Sequence, residues 1–207
     1  MEQADETVLT ENRGFMRQLR LASVWSLVLA SLALPAIAQS ERHPTDAELQ
    51  QLAQELRQKI PNLQATDYYR DRRSLEDWQA LSAYVETWER ADPAIAPFLG
   101  EWVAIEEALY IYPSTTRSEV CIVDINLDQG DFYTGQVRNG KVYTDQNLVF
   151  FLDNNFLGST FVYDDRPGIY EYANPRPLPD PAADMGQYFP EAVAAFEAAG
   201  CLIDLPE

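Results

Sequence analysis

The sequence has few of the side chains that catalytic and metal sites use most. Its 207 residues include one histidine, His43, and two cysteines. We expect His43 to lie in a mobile segment before the first helix, where no third group would hold it as a catalytic base. One histidine and two cysteines cannot complete a four-ligand zinc site, and the sequence has neither a glycine-rich phosphate loop nor a Gly-x-Ser-x-Gly elbow. We therefore predict no cofactor and no enzymatic activity.

Positive charge is also scarce. The chain has 15 Lys and Arg against 33 Asp and Glu, a net charge of −18. A field of this sign repels phosphate backbones, and no basic stripe offsets it, so nucleic acid is not expected as a partner. Basic proteins and cations are compatible partners. The other interpretation is that the negative charge keeps an exported protein soluble.

Only one long apolar run occurs, and it lies near the N-terminus. Two arginines precede the apolar residues 21–34, and small residues follow at the positions that a signal peptidase reads. This order predicts a secretory signal peptide over 1–38 that is cleaved after Ala38, with Met16 as the true start. The alternative is an uncleaved membrane anchor, but the run is shorter than the roughly twenty residues that span a bilayer. We predict a periplasmic or extracellular protein with no stable membrane span after cleavage.

The two cysteines, Cys121 and Cys201, both lie in the predicted exported part. In an oxidising compartment such an even count predicts one disulfide. Closing a loop of this length would stabilise the fold by roughly 4 to 5 kcal/mol in the chain-entropy model. Two buried free thiols are the alternative. Their separation does not match the Cys-x-x-Cys spacing of redox-active pairs.

Two helices are predicted in the first part of the exported chain. Capping boxes begin at Thr45 and at Ser74, and apolar residues then recur at helical spacing. The first helix should cover about 46–60, because Pro61 interrupts it, and the second about 75–90. Both tryptophans of the second helix fall on its apolar face and are assigned to packing.

From residue 98 onward the apolar pattern changes to a period of two. One alternating set is Cys121, Val123, Ile125 and Leu127. This alternation predicts a half-buried strand with Asp124 and Asn126 on its solvent face. Asn139-Gly140 predicts a hairpin turn, and further turn signals recur about every ten residues. We expect six to eight antiparallel strands over 98–172.

Prolines then occupy alternate positions: Pro175, Pro177, Pro179 and Pro181. Such a run cannot pair inside a sheet and should lie as an extended strap. Pro190 and Gly200 mark the start and end of a short helix over 190–199.

The residues Gly100-Glu101-Trp102 open the β-rich part. They resemble the Gly-x-Trp in the first strand of lipocalins and related ligand-binding barrels, where the tryptophan plugs the closed end. The resemblance implies a barrel that holds a small apolar ligand among aromatic side chains. The candidate ligand-binding residues are Trp102, Tyr110, Tyr112, Phe150, Phe151, Phe161 and Tyr163. The span 98–172 is short for eight long strands, so the alternative is that Trp102 is ordinary core.

Acidic residues suggest two further kinds of site. Asp124, Asn126 and Asp128 are spaced like the oxygen ligands of a calcium loop. The glycine and glutamate positions of an EF-hand do not match, so we expect a weak surface site at most and a turn over 128–131. Paired carboxylates can also hydrolyse glycosides. The candidate acids are Glu106, Glu107, Asp164, Asp165 and Glu171. Solvated surface carboxylates are the simpler interpretation.

These features predict an α+β protein in three parts: a signal peptide over 1–38, a helical region over 39–95 and an antiparallel β domain over 96–207. The β domain should contain a small barrel or sandwich over about 98–172, followed by the strap and one short helix. Our first functional hypothesis is an exported, non-catalytic interaction or structural module with an unknown protein partner. The alternative is a lipocalin-like carrier of a small apolar ligand, and the third hypothesis is a carboxylate hydrolase.

Overall fold

Eight antiparallel strands close into a barrel within residues 40–206, the part of the chain that this computed structural model describes. The strands are β1 Gly100–Val103, β2 Glu107–Pro113, β3 Glu119–Asn126, β4 Gln129–Arg138, β5 Lys141–Thr144, β6 Val149–Asp153, β7 Phe156–Tyr163 and β8 Arg166–Arg176. Each strand pairs with the next in sequence, and β8 pairs with β1 to complete the barrel. The predicted signal peptide lies outside the described residues.

The helices lie before and after the strands in sequence. They are α1 Asp46–Gln64, α2 Leu75–Ala91, a 3₁₀ turn at Ala96–Phe98, α3 Pro181–Asp184 and α4 Pro190–Ala198. The predicted α+β class, with a small barrel, two N-terminal helices and one short C-terminal helix, is confirmed.

The barrel interior is filled by large apolar side chains. Alternate residues of each strand point inward. The buried inward-facing set includes Trp102, Leu109, Ile111, Val120, Ile122, Tyr133, Val137, Val142, Phe150, Leu157 and Tyr172. The rings of Tyr133 and Phe150 stack with centroids 6.5 Å apart across the lumen. The lumen is therefore a packed core.

One end of the barrel is closed by the chain that leads into β1. The indole Nε1 of Trp102 donates to the carbonyl oxygen of Phe98 in the 3₁₀ turn, at 2.7 Å. Trp88 of α2 and Ile95 are buried in the same cluster. Trp102 thus lies in the core at this end of the barrel.

Helix α1 packs on the outside of the barrel. Its capping box, formed by Thr45 and Glu48, is confirmed. Leu56 and Ile60 are buried against outward-facing side chains of β6, β7 and β8. The prediction that Pro61 ends the helix is wrong, because the helix continues to Gln64. A proline costs one helical hydrogen bond, but the helix continues and Leu63 of its final turn packs against the cluster around Ile60.

Helix α2 buries a narrower face than its pattern suggests. Leu81 and Trp88 are buried, and the capping box at Ser74 is present. The assignment of Trp78 to packing is wrong, because this side chain is 42% exposed. The guanidinium group of Arg73 lies 3.9 Å from the centroid of its ring, so the tryptophan serves as a cation–π surface.

Helix α4 covers the outer face of β3 and β4. Val193 and Phe196 are buried there, and the ring centroid of Phe196 lies 4.8 Å from that of Tyr112. Cys121 and Cys201 form a disulfide with their Cα atoms 5.9 Å apart. The predicted staple between β3 and the end of the C-terminal helix is therefore present.

Strand β3 is buried on both faces from Val120 to Val123, and Asp124 and Ile125 are half-buried. Its outward-facing residues are Cys121, Val123 and Ile125, which α4 and its neighbours cover. The prediction that Asp124 faces solvent is wrong, because its carboxyl group accepts a hydrogen bond from Tyr133 of the barrel core. Asn126 is exposed, as expected. The predicted turn over 128–131 is displaced, because β4 begins at Gln129.

Two further expectations about the chain ends need correction. The proline strap does not lie wholly outside the sheet, because β8 runs through Pro175 at a register shift opposite β1. Such irregularities tolerate proline.

The segment around His43, which was expected to be mobile, contacts the barrel: Nε2 of His43 lies 2.9 Å from the carbonyl oxygen of Thr144. The neighbouring Ser40 is buried and accepts a hydrogen bond from the backbone of Val162 at 2.9 Å.

Candidate functional site

The most unusual polar group in the barrel is a pair of carboxyl groups. Glu107 begins β2 and Asp124 lies near the end of β3, so both sit toward the barrel end opposite the 3₁₀ turn. The hydroxyl of Tyr133 donates to Oδ2 of Asp124 at 3.0 Å. The hydroxyl of Tyr172 donates to Oε1 of Glu107. Each acid is therefore held by a tyrosine that is itself buried.

The environment of the pair favours the protonated form of at least one acid. Burial, followed by the charge of Glu107, raises the pKa of Asp124 to about 7. Burial also raises the pKa of Glu107, and the hydrogen bond from Tyr172 opposes that shift. Burial raises the pKa values of both tyrosine hydroxyls, so they act as neutral donors.

The two acids influence each other's protonation. The charge of Glu107 raises the pKa of Asp124. Oδ1 of Asp124 is buried without a hydrogen-bond partner. Neighbouring carboxylates in a buried site repel each other, and protonation of one of them relieves that repulsion. The pair can therefore hold or release one proton inside the barrel.

This geometry gives little support to glycoside hydrolysis. The two acids of a glycosidase stand about 5 Å or more apart, so that the sugar and a water fit between them. Glu107 and Asp124 are instead each held by a buried tyrosine, and the lumen beside them is filled by side chains, which leaves no such space. The other acids proposed from the sequence lie elsewhere. Glu106, Asp164 and Asp165 are exposed in turns, and Glu171 lies outside the barrel, 2.8 Å from Nζ of Lys59.

The aromatic residues proposed as a ligand site do not converge on one surface. Trp102 and Phe150 lie in the lumen, whereas Tyr112 and Phe151 lie outside it, under α4 and α1 respectively. Tyr110 packs beside Tyr112 on the outer face.

The two remaining aromatic candidates belong to β7. Phe161 is partly buried and covers Gly168 of the neighbouring strand. Tyr163 is 58% exposed at the strand end. Neither side chain belongs to the aromatic cluster around Phe150.

The calcium candidates are also separated by the fold. Asp124 is inside the barrel, while Asn126 and Asp128 are exposed at the β3–β4 turn. Within residues 40–206, no three His, Cys, Asp or Glu side chains form a group that could hold a metal ion.

A second polar site lies outside the barrel and was missed by sequence reasoning. The loop between α1 and α2 faces the end of β8 across a cavity of about 300 Å³. Arginines from both segments line this cavity. Three of them occur in the sequence as Arg70, Arg72 and Arg73, so a local basic signal exists, but the fourth, Arg176, is contributed by a distant strand.

Comparison with known proteins found no matching family model, no matching curated protein and no matching solved structure. Among the described helices, none has the length and apolar character needed to cross a membrane. The proposals below therefore rest on the geometry of this chain alone.

Proposed function

We propose that the protein is an exported, non-catalytic binding module that recognises its partner on the outer surface of the barrel. The observation that carries this proposal is the filled lumen. Trp102, Tyr133, Phe150 and Tyr172 are all at most 4% exposed, and their rings occupy the space where a barrel carrier would hold its ligand. An apolar ligand would have to displace these side chains.

Depressions on the outer surface of residues 40–206 support the proposal that the binding site lies outside the barrel. Besides the arginine-lined cavity, one depression follows the exposed face of α2 around Trp78. Another lies beside the β4–β5 turn at the closed end of the barrel. The proposal that the protein is exported comes from the signal-peptide pattern in its sequence. The Cys121–Cys201 disulfide agrees with this proposal, because disulfides persist in oxidising compartments.

A matched pair of phenylalanine variants tests whether the lumen is available to a ligand. Phe150 points into the lumen, whereas its neighbour Phe151 points outward under α1. Phe150→Ala should leave an apolar cavity, and such cavities take up benzene-sized molecules. We expect saturable benzene uptake, measured by NMR titration, for Phe150→Ala but not for the wild-type protein, with the shifted resonances in the lumen; any uptake by Phe151→Ala should shift resonances under α1 instead.

The carrier hypothesis makes the opposite prediction. Uptake of one equivalent of an apolar probe by the wild-type protein, changed by Phe150→Ala and not by Phe151→Ala, would overturn the surface-binding proposal. If Phe150→Ala fails to fold, the titration of the wild-type protein alone decides between the two hypotheses, because only the carrier hypothesis expects uptake there.

A further inference from the structure

We propose that the cleft between the α1–α2 loop and β8 binds a small ligand through a carboxylate or phosphate group. This inference rests on the proposed function, since it assigns ligand chemistry to one part of the outer surface. The guanidinium groups of Arg72 and Arg176 would hold the anion. The residues that line the cleft are Asp67, Tyr68, Arg70, Arg72, Arg73, Val103, Ala173, Asn174 and Arg176.

The concentration of positive charge in this cleft is unusual for so acidic a chain. After residue 38 the sequence has 12 Lys and Arg against 29 Asp and Glu. Four of those twelve basic residues line one cavity of about 300 Å³, together with a single acid. That volume lies at the lower end of the range for small-molecule sites. The cleft therefore differs in charge from the rest of the molecule.

Two of the four arginines are already paired. Arg73 makes a two-pronged contact with Asp71, with nitrogen–oxygen distances of 2.9 and 2.7 Å. Arg70 pairs with Asp67 at 3.0 Å, where both side chains are largely exposed.

The guanidinium groups of the other two arginines are less engaged within the protein. Arg72 makes only a long contact of 3.4 Å to the carbonyl oxygen of Asp67. Within residues 40–206, no hydrogen bond from the guanidinium of Arg176 is found. The acids that act on Arg176 are Glu101 and Asp77, and Asp77 is already engaged in capping α2.

The walls of the cleft are held in place by hydrogen bonds between the loop and β8. The hydroxyl of Tyr69 donates to the carbonyl oxygen of Glu171 at 3.0 Å. The side chain of Asn174 donates to the carbonyl oxygen of Tyr69 at 2.9 Å. Arg73 donates to the carbonyl oxygen of Pro175 at 2.9 Å. These hydrogen bonds hold the loop in place before a ligand binds. Binding therefore costs less conformational entropy than it would if the loop had to become ordered.

The chemistry of the lining defines the class of ligand. Arginine presents a planar fork of donors that matches the oxygens of carboxylate and phosphate groups. Val103 and Ala173 add an apolar floor, and the ring of Tyr68, which is 74% exposed, stands at the rim. A small anion with an apolar or aromatic body would use all three features.

Calorimetric titration of the purified, oxidised protein at low ionic strength tests the assignment. The probes are phenyl phosphate and benzoate, with benzyl alcohol as the neutral control. We expect saturable 1:1 binding of at least one anion and none of the alcohol. Arg72→Gln and Arg176→Gln should each weaken binding by about tenfold, the size of one lost charge-assisted contact. The tighter anion identifies whether phosphate or carboxylate is preferred.

The matched control is Arg166→Gln, which removes the same charge from an exposed turn where Arg166 contacts Asp164 at 3.2 Å. It should leave binding unchanged. Equal weakening by Arg166→Gln, or no saturable binding of either anion, would overturn the assignment. Should Arg176→Gln fail to fold, Arg176→Lys retains the charge but loses the fork, and weaker binding is again expected. These results are independent of the benzene experiment, so loss of the anion site leaves the surface-binding proposal standing.

Discussion

The carboxyl pair of Glu107 and Asp124 determines how stability should respond to pH. An isolated aspartate in an unfolded chain titrates near 3.9, whereas the pKa of Asp124 in the fold is raised to about 7. Between these values the folded state binds more protons than the unfolded state. The free energy of unfolding must then fall as pH rises through this interval, by at most about 1.4 kcal/mol per pH unit for one group.

We predict that the wild-type protein is less stable at pH 8 than at pH 5, as measured by urea denaturation. Asp124→Asn removes the titrating group but keeps its shape, so the decline should become shallower. Asp128→Asn removes an acid from the exposed turn nearby and should keep the wild-type slope. An unchanged slope in Asp124→Asn would show that the pair does not hold an extra proton in the fold.

At the scale of the element, α4 is fastened to the barrel in two ways. Phe196 packs against Tyr112 and Phe132, with ring centroids 4.8 and 6.4 Å apart. The chain after the helix is tied to the end of β2, where the backbone N–H of Leu202 donates to the carbonyl oxygen of Pro113 at 2.8 Å. The disulfide closes a loop with a sequence separation of 80. Apolar packing and the covalent link therefore act on the same helix.

We predict that Cys201→Ser lowers the melting temperature and increases amide hydrogen exchange in α4 more than in α1. The chain-entropy model puts the loss at roughly 4 to 5 kcal/mol, and strain in the native state reduces the observed effect. The matched control is Cys121→Ser/Cys201→Ser, which should resemble the single variant, because both lack the same link. Two free sulfhydryls in denatured, non-reduced wild-type protein would refute the disulfide.

At the scale of the molecule, the residues that directly follow the predicted cleavage site are hydrogen-bonded to the barrel. The backbone of Glu41 donates to the carbonyl oxygen of Val162 at 3.0 Å, and the side chain of Asn147 donates to the carbonyl oxygen of Ser40 at 3.0 Å. These contacts join residues 40 and 41 to β7 and to the β5–β6 connection. Cleavage after Ala38 would retain every one of them.

We therefore predict that mass spectrometry of the protein recovered from its own cell finds Gln39 at or near the N-terminus. This prediction follows from the signal peptide expected from the sequence, in which a basic region, an apolar run and small residues occur in the order that a signal peptidase recognises. Recovery of the chain from the cytoplasm with residues 1–38 attached would contradict the prediction.

Local patterns in the sequence were sufficient for the parts of the fold that depend on neighbouring residues. The capping boxes at Thr45 and Ser74 mark real helix starts, and the hairpin at Asn139-Gly140 joins β4 to β5. The change of apolar period near residue 98 correctly predicted where the β part begins. These features follow from backbone geometry over a few residues, so the sequence contains them directly.

Only the tertiary structure decided which strand face looks into the barrel and which residues meet across it. A strand covered on both faces loses the contrast between apolar and polar sides, so alternation could not place Asp124 inside. The arginine cleft joins Arg73 to Pro175, 102 positions later in the chain. Closure of the sheet between β8 and β1 creates that proximity, and no local pattern encodes it. The sequence by itself determined the elements, whereas both candidate sites arise from how the closed barrel brings distant segments together.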